Sequence, residues 1–360
     1  MPKILVVGGG LAGIAASLAL RRAGHTVQVF EASELSTEDT EGAVVQIGPK
    51  VNDVLEKWGV DSSLALPVRI KETLEFDAEG MRRSMQNEPK PAGWKWYKRS
   101  NLHRGLLASA VASTGPGHPV EIFLGKSVDS VNPESASVSI RGGQIYYGDA
   151  VVGADGWHST ARKILTDRET SIPGPKRATI HFRVDVAGFH GNPVVQRLRL
   201  EPQRCEKWTD GDKELKMYFV EPGTIIVDGI LPISKESVIS GQALKGGLLD
   251  AFGSDKSPLK DILEGINPSA LKFWFLPILP HIEKWSYKRL VLIGDAAHPF
   301  LPFELPGTSQ SLTGADALAT TLKLDSQVEE IPDRLAAWVV TRKERVKTIQ
   351  ALERKDWPPL

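Results

Sequence analysis

Lys3-Ile4-Leu5-Val6-Val7-Gly8-Gly9-Gly10-Leu11-Ala12-Gly13 opens the chain, and its reading decides the fold. Ile4 to Val7 is a continuous apolar run, the pattern of a strand buried on both faces of a parallel sheet. Gly8 to Gly13 fits G-x-G-x-x-G. Leu11 to Arg22 is rich in Ala and Leu and stops at Gly24, which reads as a buried helix. Val27 to Phe30 is a second apolar strand, and Glu31 ends it 18 residues after Gly13 (31 − 13). Strand, glycine turn, helix, strand and terminal acid together form a β-α-β dinucleotide-binding unit. Gly8 makes the tight turn, Gly10 lets the backbone approach a pyrophosphate, and Gly13 lets helix and strand pack closely. The helix start at Leu11 and Ala12 offers unpaired N–H groups to phosphate. Glu31 accepts from an adenosine ribose and repels a 2′-phosphate. This unit alone does not separate FAD from NAD.

Working outward, Ala178–Val186, Gln196–Leu200, Leu215–Val220 and Thr224–Leu231 read as successive strands of an antiparallel sheet. Gly241 to Leu263 reads as helical, Arg289–Ile293 as a buried parallel strand, and Thr313–Leu324 as a helix opened by Gly307 to Gln310. The expected class is α/β: a Rossmann-type domain of residues 1–72, 98–170 and 286–355, with a mainly antiparallel-sheet substrate domain of 73–97 and 171–285 inserted. Hydrophobic residues at 41% give material for a core, and 44 basic against 44 acidic residues leave no net field for nucleic acid or an anionic membrane. A single cysteine, Cys205, excludes an intrachain disulfide. The eight histidines include no H-E-x-x-H spacing, so no metal is expected. No signal-peptide pattern or membrane-length apolar run is present, so the expected location is the cytosol and the expected assembly a monomer or homodimer.

Three further segments carry a family resemblance. Ala154-Asp155-Gly156-Trp157-His158-Ser159-Thr160-Ala161-Arg162 resembles the A-D-G-x-x-S-x-x-R segment of the FAD-dependent aromatic hydroxylases, the group of 4-hydroxybenzoate and salicylate hydroxylases. Gly294-Asp295-Ala296-Ala297-His298-Pro299 resembles their G-D-A-A-H signature, and Arg99 to Arg104 their R-x-x-L segment. Gly42, Trp285 and the Trp338, Arg342, Arg345 pattern also match in order. The resemblance implies a 4-hydroxybenzoate hydroxylase-like fold with FAD as cofactor and NAD(P)H as transient reductant. It further implies O2 as co-substrate, a C4a-hydroperoxyflavin, and an aromatic or other electron-rich small molecule as the substrate hydroxylated. Asp295 would receive the ribityl chain, Arg99 would reach the flavin side, and Asp155 would order the pyrophosphate segment and hold Arg162. Gly307, Thr308 and Ser309 would aim a helix N-terminus at the flavin pyrimidine. The family loop with G-Q-G is replaced here by Pro302-Phe303-Glu304-Leu305-Pro306-Gly307, a change that restricts the backbone.

Candidate side chains for substrate and catalysis are His181, Arg183, Tyr218 and Asp228 from the sheet, and Gln46, Phe303 and Glu304 from the cofactor side. His181 and Arg183 alternate and so share a face of one strand. Glu304 is a candidate general base or a solvated loop carboxylate. Two other functions stay open on these residues: an oxidase or oxidative rearrangement on the same fold, and a cofactor-binding protein without activity.

Overall fold

The computed structural model describes residues 1–34, 44–83, 92–166, 177–232, 240–275, 282–300 and 306–353. The opening strand, β1 (Lys3–Val7), lies in the interior of a six-stranded sheet. The sheet runs Ser286–Tyr287, Leu290–Leu292, Ala150–Gly153, β1, β2 (Thr26–Phe30) and Glu121–Phe123. All neighbours are parallel except the Ser286–Tyr287 edge. Ile4, Leu5 and Val6 are fully buried, which is why this strand shows no polar alternation.

α1 (Leu11–Arg22) returns the chain between β1 and β2. It is buried on nearly every side because the Pro306–Thr321 helix packs against its other flank. His25 Nε2 stands 2.7 Å from the carbonyl of Leu322 and ties the end of α1 to the end of that helix.

A second six-stranded sheet runs Lys272–Phe275, Arg177–Asp185, Thr224–Pro232, Lys213–Glu221, Arg204–Asp210, Glu72–Asp77. It is antiparallel apart from the last pair. Its two faces differ. Ile180, Phe182, Val184, Leu215, Met217 and Val227 build a core with the Gly241–Phe252 and Pro193–Leu200 helices. Cys205, Tyr218, Val220 and Ile226 point the other way and pack against Ile70 and Trp96. Trp96 belongs to a small sheet of Val44–Ile47, Lys95–Lys98 and Val68–Arg69, whose opposite side joins the core around β1 through Ile47 and Tyr97.

Several sequence expectations need correction. Gln196–Leu200 is the end of a helix, Pro193–Leu200, not a strand. Asn192 caps it by accepting from the Val194 and Val195 amides, and Val194, Val195 and Leu198 form its buried stripe. The strand at that point of the sheet is Arg204–Asp210, masked in sequence by its charges. Glu206 there is buried because Arg197 from the helix pairs with it at 2.7 Å. The helical stretch Gly241–Leu263 is two helices, Gly241–Phe252 and Lys260–Glu264, parted at Gly253. The Thr313–Leu324 helix, expected to open at Gly307 to Gln310, begins one residue earlier at Pro306, which is well placed in a first turn, and ends at Thr321.

Candidate cofactor and substrate site

Val7, Gly153 and Leu292 are level in neighbouring strands, so three chain segments leave the parallel sheet at one edge. Strand order reverses between β1 and Ala150–Gly153, which makes this edge the topological switch point. Gly8 turns there with φ +99, and a Cβ on it would lie 2.5 Å from the Ala154 carbonyl. A Cβ on Gly13 would lie 1.9 Å from the Gly8 carbonyl. Gly10 is different: it caps α1 in extended geometry, and a Cβ on it would meet nothing within 4 Å. The loop thus encloses open space at a helix N-terminus, the shape and polarity of a phosphate cradle. Leu11 and Ala12 are the first residues of that helix.

Glu31 holds this loop from the end of β2. One oxygen accepts from the Gly9 amide at 2.6 Å, and the other accepts from the Ser33 amide and hydroxyl. On the opposite side the buried His103 ring has Nε2 2.7 Å from the Gly9 carbonyl. Burial, joined by the Arg99 charge, lowers the His103 pKa, against the bond to Gly9. His103 lies inside the R-x-x-L segment, but its grip on Gly9 has no sequence signal, because the contact joins residues 94 apart.

The Leu290–Leu292 strand delivers the second half of the site. Gly294, with φ +57, passes so close to α1 that a Cβ on it would meet Ala12 Cβ at 2.7 Å. Asp295 follows, half-buried, beside Arg99, Arg162 and the Trp157 indole. Burial raises its pKa to about 6, although Arg99, the Trp157 N–H and Arg162 all favour the charged form. Arg99 donates no hydrogen bond to a described residue, and burial lowers its pKa while Asp295 opposes the shift. Trp157 is a site residue beyond the sequence candidates, although it lies inside the Ala154–Arg162 segment.

Asp155 supports the charged form of Arg162 through its own charge, while the hydrogen bonds of the two side chains go to different partners. Asp155 accepts from the Ser159 hydroxyl and from the Ala161 amide at 3.1 Å, so it anchors the start of the Thr160–Leu165 helix. Arg162 donates to the carbonyls of Ala296, Trp157, Gly156 and Asp295, the last at 2.6 Å. It therefore clips the two signature segments together through backbone. The Pro306–Thr321 helix brings Gly307, Thr308 and Ser309 in its first turn. Arg342 donates to both the backbone and side-chain oxygens of Gln310, and Trp338 Nε1 donates to Gly314. The closing helix Ile331–Glu353 thereby fixes where that first turn sits.

On the antiparallel sheet the nominated residues separate. His181 and Asp228 are level in adjacent strands, buried, and joined at 2.8 Å through Nδ1. Asp228 also accepts from the Val44 amide at 3.2 Å. Gln46, two residues along from Val44, has a buried side-chain nitrogen with no hydrogen-bond partner. Arg183 lies at the rim, paired with Glu221, which also holds Lys98 at 3.0 Å. Tyr218 packs edge-on against Trp96, and burial pushes its pKa well above the usual value. Trp274, absent from the sequence candidates, is 47% exposed on the same face as His181, ring centres 6.3 Å apart. Gly42, Phe303 and Glu304 lie outside the described residues. Among the described residues no group of three His, Cys, Asp or Glu is placed to hold a metal, and no helix is long and apolar enough to cross a membrane.

The residues present fit a dinucleotide: an open cradle at Gly10, a carboxylate at Asp295, and an Arg99 guanidinium with hydrogen-bonding capacity to spare. The comparisons agree. The family model described as FAD binding domain matches residues 1–204. The hispidin-3-hydroxylase of Neonothopanus nambi is 26% identical over 375 residues, spanning 97% of this chain and 87% of that protein. An FAD-dependent monooxygenase of an Arthrinium species is 29% identical, spanning 97% and 82%. In fold, the chain is similar to CtdE in complex with FAD and substrate (TM-score 0.83, 20% identity, 99% of this chain and 88% of that one). It is also similar to Klebsiella pneumoniae HpxO complexed with FAD and uric acid (TM-score 0.79, 18% identity, 98% and 87%). The chain belongs to the FAD binding domain family, as a flavoprotein of the FAD-dependent monooxygenase group.

Proposed function

We propose that this chain uses NAD(P)H and O2 to hydroxylate an aromatic or other electron-rich small molecule at a site between its two large sheets. The observation that carries the reading is the common level of Val7, Gly153 and Leu292, which sets the Gly10 cradle and Asp295 along one sheet edge. Gly8, Gly10, Leu11, Ala12 and Gly13 would hold the pyrophosphate, and Glu31 the adenosine ribose. Asp295 and Arg99 would hold the ribityl and flavin side, with Asp155 and Arg162 bracing the loops behind them. When bound, FAD supplies hydride acceptance from the nicotinamide and activation of O2 for transfer of one oxygen atom. The protein's own part is to orient the substrate, keep water out and manage its proton. Gly307 to Ser309, at a helix N-terminus, favour negative charge on a reduced cofactor. Residues 1–72, 98–170 and 286–355 would form the cofactor unit, and 73–97 and 171–285 the substrate unit.

The test is NAD(P)H oxidation by the purified protein under labelled O2 with a panel of phenols. The expected result is oxygen uptake matched by a product one labelled oxygen heavier. A converted substrate that carries no label would favour an oxidase or rearrangement and overturn hydroxylation.

A further inference from the structure

The His181–Asp228 pair is the most unusual polar feature of the antiparallel sheet. Both side chains are buried, yet they sit on the face turned away from that sheet's apolar core. Asp228 is satisfied on both oxygens, by His181 Nδ1 and by the Val44 amide. His181 is not: Nε2 makes no hydrogen bond with any described residue. With Nδ1–H directed at a carboxylate, Nε2 carries the lone pair, the tautomer a base requires.

Position adds to chemistry. Val44 pairs with Lys98, the residue before Arg99, and Arg99 shares its field with Asp295. The pair is therefore stitched to the corner where the cofactor's flavin side is expected. Trp274 stands beside the imidazole on an edge strand, and nearly half its surface is open. Lys272 and Lys216 are level with the pair in the same cross-strand row, with Lys216 paired to Glu214 at 2.9 Å. Gln46, two residues beyond Val44 on the same strand, has a buried amide nitrogen without a hydrogen-bond partner.

We propose that His181, held by Asp228, is the proton acceptor of the oxygenation site, and that the substrate is a planar phenol or enol lying against Trp274. This rests on the hydroxylase reading above. The substrate O–H bond breaks, a bond from that hydrogen to Nε2 forms, and the electron pair stays on the substrate oxygen. The imidazolium is stabilised by Asp228, and the ring bearing the anionic oxygen becomes rich enough in electrons to accept oxygen.

The experiment titrates the flavin-loaded protein with 4-nitrophenol and its methyl ether, 4-nitroanisole, at a pH where the free phenol is mostly protonated. Flavin content is read in the same samples. The expected result is a preference for the phenol of about tenfold or more, with the phenolate band growing as it binds. In His181→Gln the band and the preference should go while flavin content stays. Asp228→Asn, which preserves shape, should weaken the band without changing flavin content. Trp274→Ala should weaken both ligands equally. The proposal is overturned if the phenol is not preferred, if neither ligand binds, or if the preference survives in both His181→Gln and Asp228→Asn. Protein that takes up no flavin would overturn the hydroxylase reading beneath it as well.

Discussion

The two halves of the site are specified in different ways. At the edge of the parallel sheet the chain shapes the site with backbone: Gly8, Gly13 and Gly294 stand where any side chain would strike a neighbour. On the antiparallel sheet the site is made of side chains, and its shape depends on which face of each strand looks outward. Steric prohibition leaves a mark in sequence, because glycine alone survives it. A choice of face leaves almost none, since one residue of register reverses it.

The sharpest way to break this comparison is inside the glycine loop. Gly13→Ala should cost more than about 4 kcal/mol and abolish FAD uptake, because its Cβ would overlap the Gly8 carbonyl. Gly10→Ala should leave stability nearly unchanged, within about 0.5 kcal/mol, and still lower FAD affinity, since open space is what it fills. Calorimetry and a flavin titration on both variants check this.

Trp96→Ala probes the contact between the halves. It removes a ring 2% exposed that sits against Tyr218. A loss of about 3–5 kcal/mol is expected by denaturant unfolding, with flavin still bound under native conditions.

Asp295→Asn should separate stability from binding. The folded-state pKa of this carboxyl is raised from 3.8 to about 6, so its charged form is disfavoured on folding. The contribution of this carboxyl to the stability of the flavin-free protein is fully present below pH 3.8 and is lost as pH rises through about 6. Asn removes that loss. The flavin-free variant should therefore be more stable at neutral pH, by about 1–3 kcal/mol, while binding FAD less well. Melting curves across this pH range, with and without FAD, read both effects.

The smallest effect belongs to the rim. Arg183→Ala should change stability by about 0.2–1 kcal/mol, given that its side chain is 38% exposed, and should leave flavin content unaltered.

Much of the cofactor half was legible from residue order. The apolar run Ile4–Val7, the three glycines and the span of α1 each have one physical reading, and Leu11–Arg22 is helical throughout as that reading requires. The two later signatures pointed to FAD by resemblance, and the FAD binding domain model over residues 1–204 agrees with them. What they did not disclose was division of labour: Asp155 anchors a helix, while Arg162 is spent on four carbonyls. The substrate half was less readable. Gln196–Leu200 alternates like a strand but buries a helical stripe that starts earlier, at Val194. The adjacent Arg204–Asp210 strand hides behind Glu206 and Lys207, because the Arg197 that makes burial of Glu206 tolerable lies on a different element. Trp274 matters only through its cross-strand position beside His181, information no local pattern carries.

The central claim is that Gly10 and Asp295 grip opposite ends of one FAD molecule. FAD titration of the flavin-free protein, of Gly10→Ala, of Asp295→Asn and of the double variant tests it most directly. The account requires each single change to weaken FAD by about tenfold, with the two losses adding in the double variant because the contacts are remote from each other. FAD bound equally well by all four proteins would contradict it.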